Sequence, residues 1–354
     1  MACLFLLSAA VGSLLTGCVS QLLAKRIVSA PNRQASGSNS LPPKAIAEAD
    51  SVYIHAWRTP VGPPAAELSV AIIEPGNYEF TSDMKFQRAA DGSGQYQIEA
   101  KWNMPRVDGK LVISAEPPKA TLVLLHGIMM SKESMIPWAL YFAQEGYRVV
   151  LVDCRGHGRS TGHRIGFGAW EADDFKRVVD DLEQRGLLAG KLGVFGQSYG
   201  GSMAIHWAAR DPRVTTVVAL APFADPQKAI AEFARGLNPK LTHGLSDATF
   251  ESATSKAAKL AAINWTDLNV TAAMGRVQVP VLIFHGAQDS WIPPRHSEAL
   301  AASAPLGSRR EVTPDDDHMS LMFRFDLIGP QALRWFEQWL LEPRVDHSHV
   351  SGDW

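Results

Sequence analysis

The sequence predicts an α/β protein: a mostly parallel central sheet with helices on both faces, a small helical cap and an N-terminal β-rich extension. Three observations carry that prediction. Short, mostly apolar runs such as Thr121 to Leu125 and Arg148 to Val152 alternate with longer segments at helical spacing, as strands buried on both faces do. One such run, Leu192 to Phe195, leads into the turn Gly196-Gln197-Ser198-Tyr199-Gly200, and apolar residues at helical spacing follow from Met203 to Ala209. Finally, about sixty residues separate the strand ending at Leu220 from the one beginning at Val281, far more than a crossover helix needs.

The chain begins with an apolar run, Met1 to Leu15, followed by Leu15-Thr16-Gly17-Cys18. That motif resembles the lipobox of bacterial lipoproteins. The resemblance implies a signal peptide over residues 1–17, cleavage before Cys18 and lipid on its sulfur. Val19 stands where Asp often retains such proteins in the inner membrane, so the expected place is the cell envelope, on the outer membrane. Several acyl chains exceed what stable anchoring needs. The stretch before the apolar run departs from the pattern in carrying no Lys or Arg, and the plain alternative is an uncleaved anchor held by Lys25 and Arg26.

Residues 18–50 read as a lipid-anchored tether, because Ser29 to Asp50 is rich in Ser, Pro, Ala and Asn without periodicity. Residues 51–94 form the β-rich extension, with alternating segments at Val52 to Trp57 and Leu68 to Ile73 broken by Pro and Gly clusters. A main domain is expected over residues 95–342. It opens with an antiparallel pair, Gln95 to Trp102 and Lys110 to Ala115, around Asp108-Gly109. Helices are expected at Ile136 to Glu145 and Ala169 to Arg185, strands at Val214 to Leu220 and Val281 to Phe284, and a weak last strand at Glu311 to Thr313. The closing helix, Ile328 to Leu341, sets Leu333, Phe336, Trp339 and Leu340 on one face. The long interval, residues 222–278, holds two helical patterns, Asp225 to Leu237 and Ser246 to Ile263, the second with Ser246 as N-cap. It is read as the cap, over the carboxyl ends of the strands where open α/β sheets bind ligands. Residues 343–354 are a polar tail.

A net charge of −2 over 354 residues offers no concentrated basic face and argues against nucleic acid as a partner. Three cysteines give no disulfide framework, and after cleavage only Cys154 would remain a free thiol in the folded body.

The chemistry starts at Ser198. A strand-to-helix turn this tight needs small residues on either side, which Gly196 and Gly200 supply, and it pushes the hydroxyl out where a base can reach it. The N–H of Tyr199 opens the following helix and faces any anion forming at Ser198. Three further segments, Leu124 to Met130, Val152 to Ser160 and Ile283 to Pro293, together resemble the α/β-hydrolase superfamily over roughly Gln95 to Leu341. The resemblance implies that Ile128, after His126-Gly127, gives a second oxyanion N–H beside Tyr199. It implies that Asp153-Cys154-Arg155-Gly156-His157-Gly158-Arg159-Ser160 is scaffold, so that His157 takes no direct part. Asp289 stands at the position of the family's acid, with Asp225 as a rival after the preceding strand, and His318 stands at the position of its base. A metal at Asp315-Asp316-Asp317-His318 is disfavoured, since adjacent residues cannot all face one ion. Trp291, Met129 and Met130 are candidates for an acyl pocket or for plain core.

Serine at position 198 implies esterase, lipase, lysophospholipase or peptidase chemistry through an acyl-enzyme, with no cofactor and no metal. The motifs most resemble the lysophospholipase-like and serine-aminopeptidase-like branches. The expected substrate is a small-molecule or lipid acyl ester, with a peptide bond as the alternative. A non-catalytic lipoprotein using the fold as a binding scaffold is the rival from another class.

Overall fold

A computed structural model describes residues 17–33, 50–88 and 94–342. All but the last residue of the expected signal peptide, much of the tether and the tail at 343–354 lie outside these. Among the described residues no helix is long and apolar enough to cross a membrane.

The centre is an eight-stranded sheet. In chain order its strands are β1 (His55–Val61), β2 (Ala66–Ile73), β7 (Thr121–Leu125), β8 (Arg148–Val152), β9 (Leu192–Gln197), β10 (Val214–Leu220), β11 (Val281–Gly286) and β12 (Arg309–Thr313). They lie side by side as β1-β2-β8-β7-β9-β10-β11-β12. From β8 to β12 every pairing is parallel, while β2 joins β8, and β1 joins β2, antiparallel. Alternate residues of each strand feed opposite cores. Val123, Leu125, Val150, Val152 and Val194 pack on one face with α3 (Glu171–Gln184) and α4 (Tyr199–Ala208). Leu122, Leu124, Val149, Leu151 and Phe195 pack on the other with α2 (Ile136–Gln144) and α8 (Phe325–Phe336). This is why the sequence shows continuous apolar runs rather than alternation.

The expected domain start at residue 95 is too late. β1 and β2 are edge strands of the main sheet, and six of the eight residues of β2 are buried in an unbroken run from Leu68 to Ile73. The strand near residue 95, β4 (Gly94–Lys101), pairs not with Lys110 to Ala115 but with β3 (Thr81–Arg88), through eight residues of register. The turn at Asp108-Gly109 closes only a two-residue pair, β5 (Arg106–Val107) with β6 (Lys110–Leu111). Both turn residues have positive φ, 49° and 75°, as a two-residue hairpin requires. The long ladder wins over the local turn because it satisfies more backbone groups.

The tether also begins later than expected. Residues 17–28 form a helix (α1) whose Ala24 and Val28 are buried in the core. Residues 29–33 continue along the body: the N–H of Ala30 donates to His163 O at 3.0 Å, and Asn32 Nδ2 donates to Gly158 O and Ser160 O at 3.0 and 2.8 Å.

The cap holds α5 (Pro226–Leu237), a short helix Pro239–Thr242 and α6 (Asp247–Ala261). Ser246 caps α6 by accepting from the N–H of Thr249, as the sequence predicts. After β11 comes α7 (Arg295–Ala302). The closing helix α8 starts earlier than expected and passes into a π-turn at Glu337–Leu341.

Candidate active site

β9 runs straight into α4, and the corner residue Ser198 sits at φ 50°, ψ −111°. A non-glycine residue there carries strain of about 1–3 kcal/mol, which the surrounding packing must hold. A Cβ on Gly196 would lie 2.5 Å from the backbone of Gly200, and one on Gly200 would lie 2.3 Å from Leu125 O. Glycine is therefore required at both positions by backbone, which cannot move aside. The N–H of Ser198 donates to Leu220 O at 2.7 Å and pins the turn to the next strand.

The chain leaves β7 for β8 on one side and crosses back to β9 on the other, so the loops after β7 and β9 diverge at one point. Such a switch point is where open sheets bind ligands. Leu125 and Gly196 are register partners, which brings Ile128 beside Ser198 and Tyr199. The backbone N–H groups of Ile128 and Tyr199 have no acceptor among the described residues. His126 is fully buried, its Nδ1 paired with Gly127 O at 2.7 Å while Nε2 accepts from the N–H of Cys154 at 3.0 Å. Both ring nitrogens are thus used in holding the loops together.

On the other side of the turn, β11 and β12 end level, with Gly286 opposite Thr313. Asp289 follows one and His318 the other. His318 Nε2 is 3.0 Å from Ser198 Oγ, and its Nδ1 is 2.6 Å from Asp289 Oδ2. Asp289 Oδ1 accepts from the N–H groups of Trp291 and Ile292 at 2.9 and 2.8 Å. Burial pushes the Asp289 carboxyl up, but hydrogen bonds from His285 and His318 and from the Ile292 N–H outweigh it and hold the group at about 2. It is a carboxylate at any physiological pH.

The rivals have other occupations. Asp225 caps α5, accepting from the N–H groups of Gln227 and Lys228. His157 is fully buried, with Nδ1 on Arg155 O at 2.9 Å. Asp316 pairs with Arg324 at 2.7 Å, and Asp317 accepts from the N–H groups of Met319 and Ser320. Among the described residues no group of His, Cys, Asp and Glu could hold a metal ion.

A narrow cleft, with a cavity volume of about 40 Å³, opens at Ser198. Its other nine lining residues include Ile128, Phe167, Phe223, Ile230, Phe233 and Ile292, and none of the ten carries a charge. Phe233, Ile230, Ala229 and Pro226 come from the cap helix α5.

Solved structures with a similar fold are found at low sequence identity. The esterase Pf2001 of Pyrococcus furiosus aligns over 85% of this chain and 97% of its own at 19% identity, with a TM-score of 0.55. A thermophilic esterase from Thermogutta terrifontis aligns over 80% and 98% at 17% identity, with a TM-score of 0.51. The chain has the α/β-hydrolase fold. Within it, residues 116–268 match the family model described as serine aminopeptidase, S33. That match includes Ile128, Ser198 and Tyr199 and stops short of Asp289 and His318. Among curated proteins, the uncharacterized protein YqkD of Bacillus subtilis is 27% identical over 187 residues, 51% of this chain and 58% of YqkD. The match thus spans little more than half of that relative. The bifunctional esterase/perhydrolase DCH of Acinetobacter calcoaceticus is 25% identical over 209 residues, 48% of this chain and 74% of its own.

The cleft wall of this α/β-hydrolase fold settles the choice between acyl pocket and plain core for three residues. Trp291, Met129 and Met130 are not among its lining residues; Phe167, Phe223 and the apolar side of α5 take that place. Phe167 has φ 52°, held by a loop that Glu171 gathers: its carboxylate accepts from the N–H groups of Gly166 and Gly168 at 2.6 and 2.9 Å and from the Tyr199 hydroxyl at 2.9 Å. The signal for this loop was the pair Gly166 and Gly168 just before a helix start, and nothing local ties it to Ser198.

Proposed function

We propose that the chain is a serine hydrolase that cleaves carboxylic esters of apolar acyl groups. The observation that carries this reading is the hydrogen-bond relay Ser198–His318–Asp289, ending at an uncharged cleft beside the Ile128 and Tyr199 N–H groups, which have no acceptor among the described residues. In the reaction His318 takes the Ser198 proton as Oγ attacks the acyl carbonyl. Asp289 holds the imidazole and stabilises its protonated form, and the N–H groups of Ile128 and Tyr199 take the oxyanion. The alcohol leaves with the proton from His318, and water repeats the sequence on the acyl-enzyme.

The uncharged lining favours an ester over the peptide alternative, because selecting a free peptide N-terminus calls for a carboxylate in the cleft. The relay and both N–H groups together disfavour a binding scaffold, which needs none of them.

The test is hydrolysis of chromogenic esters from acetyl to palmitoyl by the chain starting at residue 19 and by its Ser198→Ala variant. The expected result is a loss of roughly five to six orders of magnitude in kcat. Equal rates in the two proteins would remove Ser198 from the mechanism. Turnover of amino-acyl amides in place of esters would support the peptidase reading.

We also propose that Cys18 is lipidated, on the outer membrane. The support is the Leu15-Thr16-Gly17-Cys18 motif and the exposure of Cys18 at the start of α1. Because α1 is docked, a lipid on Cys18 would hold the body at the membrane surface rather than at the end of a tether. Labelling with a radioactive fatty acid checks this; label that survives Cys18→Ala would refute it.

A further inference from the structure

Trp291 touches three parts of the site at once, two through its indole and one through its backbone. Its ring lies over the His318 imidazole, with centroids 5.4 Å apart and planes at 31°. Its own N–H on the backbone donates to Asp289 Oδ1 at 2.9 Å. The ring also meets the cap helix α5: Phe233 stands edge-on at 5.7 Å and 88°. One turn further along α5, a Cβ on Gly236 would lie 2.5 Å from Trp291 Cδ1, so that glycine is what lets the helix reach the indole. Phe233 in turn forms part of the cleft wall. The helix is pinned beside this contact by Glu232, whose Oε2 is 2.6 Å from His296 Nε2 on α7.

We propose that Trp291 is a positioning residue for His318 and is itself set by the seating of α5, so that the cap decides how well the imidazole addresses Ser198. The argument is steric. His318 is fixed in its plane by two hydrogen bonds, at Nδ1 and Nε2, but these leave the ring free to tilt about the line joining them. The Trp291 face closes one side of that tilt. An acyl group that fills the cleft presses on Phe233, and Phe233 presses on Trp291. A well-fitting acyl chain therefore raises kcat rather than only lowering KM. This inference rests on the reading of Ser198 and His318 given above.

The test is steady-state kinetics on Trp291→Leu, Trp291→Phe and Gly236→Ala in the full chain, with Lys228→Ala, an exposed change on the same helix, as control. Trp291→Leu is expected to lower kcat by about ten- to a hundredfold with KM within about twofold, the cost of a misplaced reacting group. It should also flatten the dependence of kcat on acyl length. Trp291→Phe restores most of the loss by returning an aromatic face. Gly236→Ala lowers kcat in the same way, because its methyl displaces the indole, and Lys228→Ala leaves both constants unchanged. Wild-type kcat in Trp291→Leu, or a loss that Phe does not rescue, would overturn the proposal. Should Trp291→Leu fail to fold, unchanged kcat in Gly236→Ala would overturn it instead. A wild-type protein that a fluorophosphonate does not label would refute the serine reading itself, which separates the two failures.

Discussion

Tyr199 donates its phenolic hydrogen to Glu171 Oε1 at 2.9 Å, beneath the turn that carries Ser198. The two residues differ in what they bring to the site. In the proposed reaction Tyr199 contributes its backbone N–H, while its hydroxyl binds the carboxylate that orders the Phe167 loop and its ring packs on Phe167 and His157. Tyr199→Phe is therefore expected to change kcat by no more than about threefold and to cost about 1 kcal/mol of stability. Glu171→Gln leaves a buried donor facing other donors and should cost about 2–3 kcal/mol. Thermal denaturation and ester kinetics check both. A hundredfold loss of kcat in Tyr199→Phe would show that the hydroxyl itself takes part in the chemistry.

Residues 17–33 brace the body. A chain starting at residue 34 loses the buried side chains of Ala24, Val28 and Ala30 and the two hydrogen bonds of Asn32. It should be less stable than a chain starting at residue 19 by about 3 kcal/mol or more, from the apolar burial and the lost hydrogen bonds. Urea midpoints of the two chains measure this. Coincident curves would mean that the docked segment adds nothing.

At the Ser198 turn the glycines have no substitute. Gly200→Ala places a methyl against Leu125 O, and the protein should lose activity and much of its soluble yield. Gly244→Ala, in open space, is the control and should be neutral. Normal activity in Gly200→Ala would disprove the steric account of the turn.

Three buried histidines should make stability fall on the acid side, opposed by the single carboxyl of Asp174, which burial raises to about 7. Burial holds His126 and His206 at about 4 and His157 at about 3, the last also lowered by its neighbour His126. The unfolded chain takes up these protons near the ordinary value of 6.5, while the native protein does not until the lower values. The contribution is complete above 6.5 and is lost as pH falls toward the native values, with a slope of up to about 4 kcal/mol per pH unit for the three together. Asp289, at about 2 against 3.8, adds a later loss below roughly pH 4. Melting temperatures measured across this range check the slope, and His206→Gln should remove about a third of the histidine contribution. A flat profile from neutrality down to about pH 5 would contradict the buried neutral imidazoles.

The two aspartates that follow β10 and β11 should separate cleanly. Asp289→Asn is expected to lower kcat by roughly ten-thousandfold, because the imidazole loses the partner that sets its tautomer. Asp225→Ala removes a helix cap, costs about 1 kcal/mol and leaves kcat unchanged. The reverse result would move the acid to Asp225.

Much of this was legible in the chain because it is local. The continuous apolar runs of β7 to β11 report burial on both faces whatever the partners are. The glycines around Ser198 report a corner that only a backbone without Cβ can turn, and Asp289 and His318 stand just past the ends of apolar strands. The cap helices were legible for the same reason, through Asp225 and Ser246 as caps. The segments that misled were those where local signals competed with long-range pairing. The turn at Asp108-Gly109 is real but short, because Gly94–Lys101 finds a longer partner in Thr81–Arg88. The composition of residues 29–33 reads as a linker, yet they lie along the body through Ala30 and Asn32.

The sequence by itself determined the sheet class, the nucleophile-like turn and the order Ser198, Asp289, His318, since each is a demand made by neighbouring residues on their own backbone. Only the tertiary structure decided the strand order that sets Ile128 beside Tyr199, the wall of Phe167 and Phe233, and the place of Trp291 between His318 and the cap. Those are contacts between residues tens of positions apart. They depend on where β2, β8 and α5 come to rest, and no residue-to-residue spacing along the chain records that.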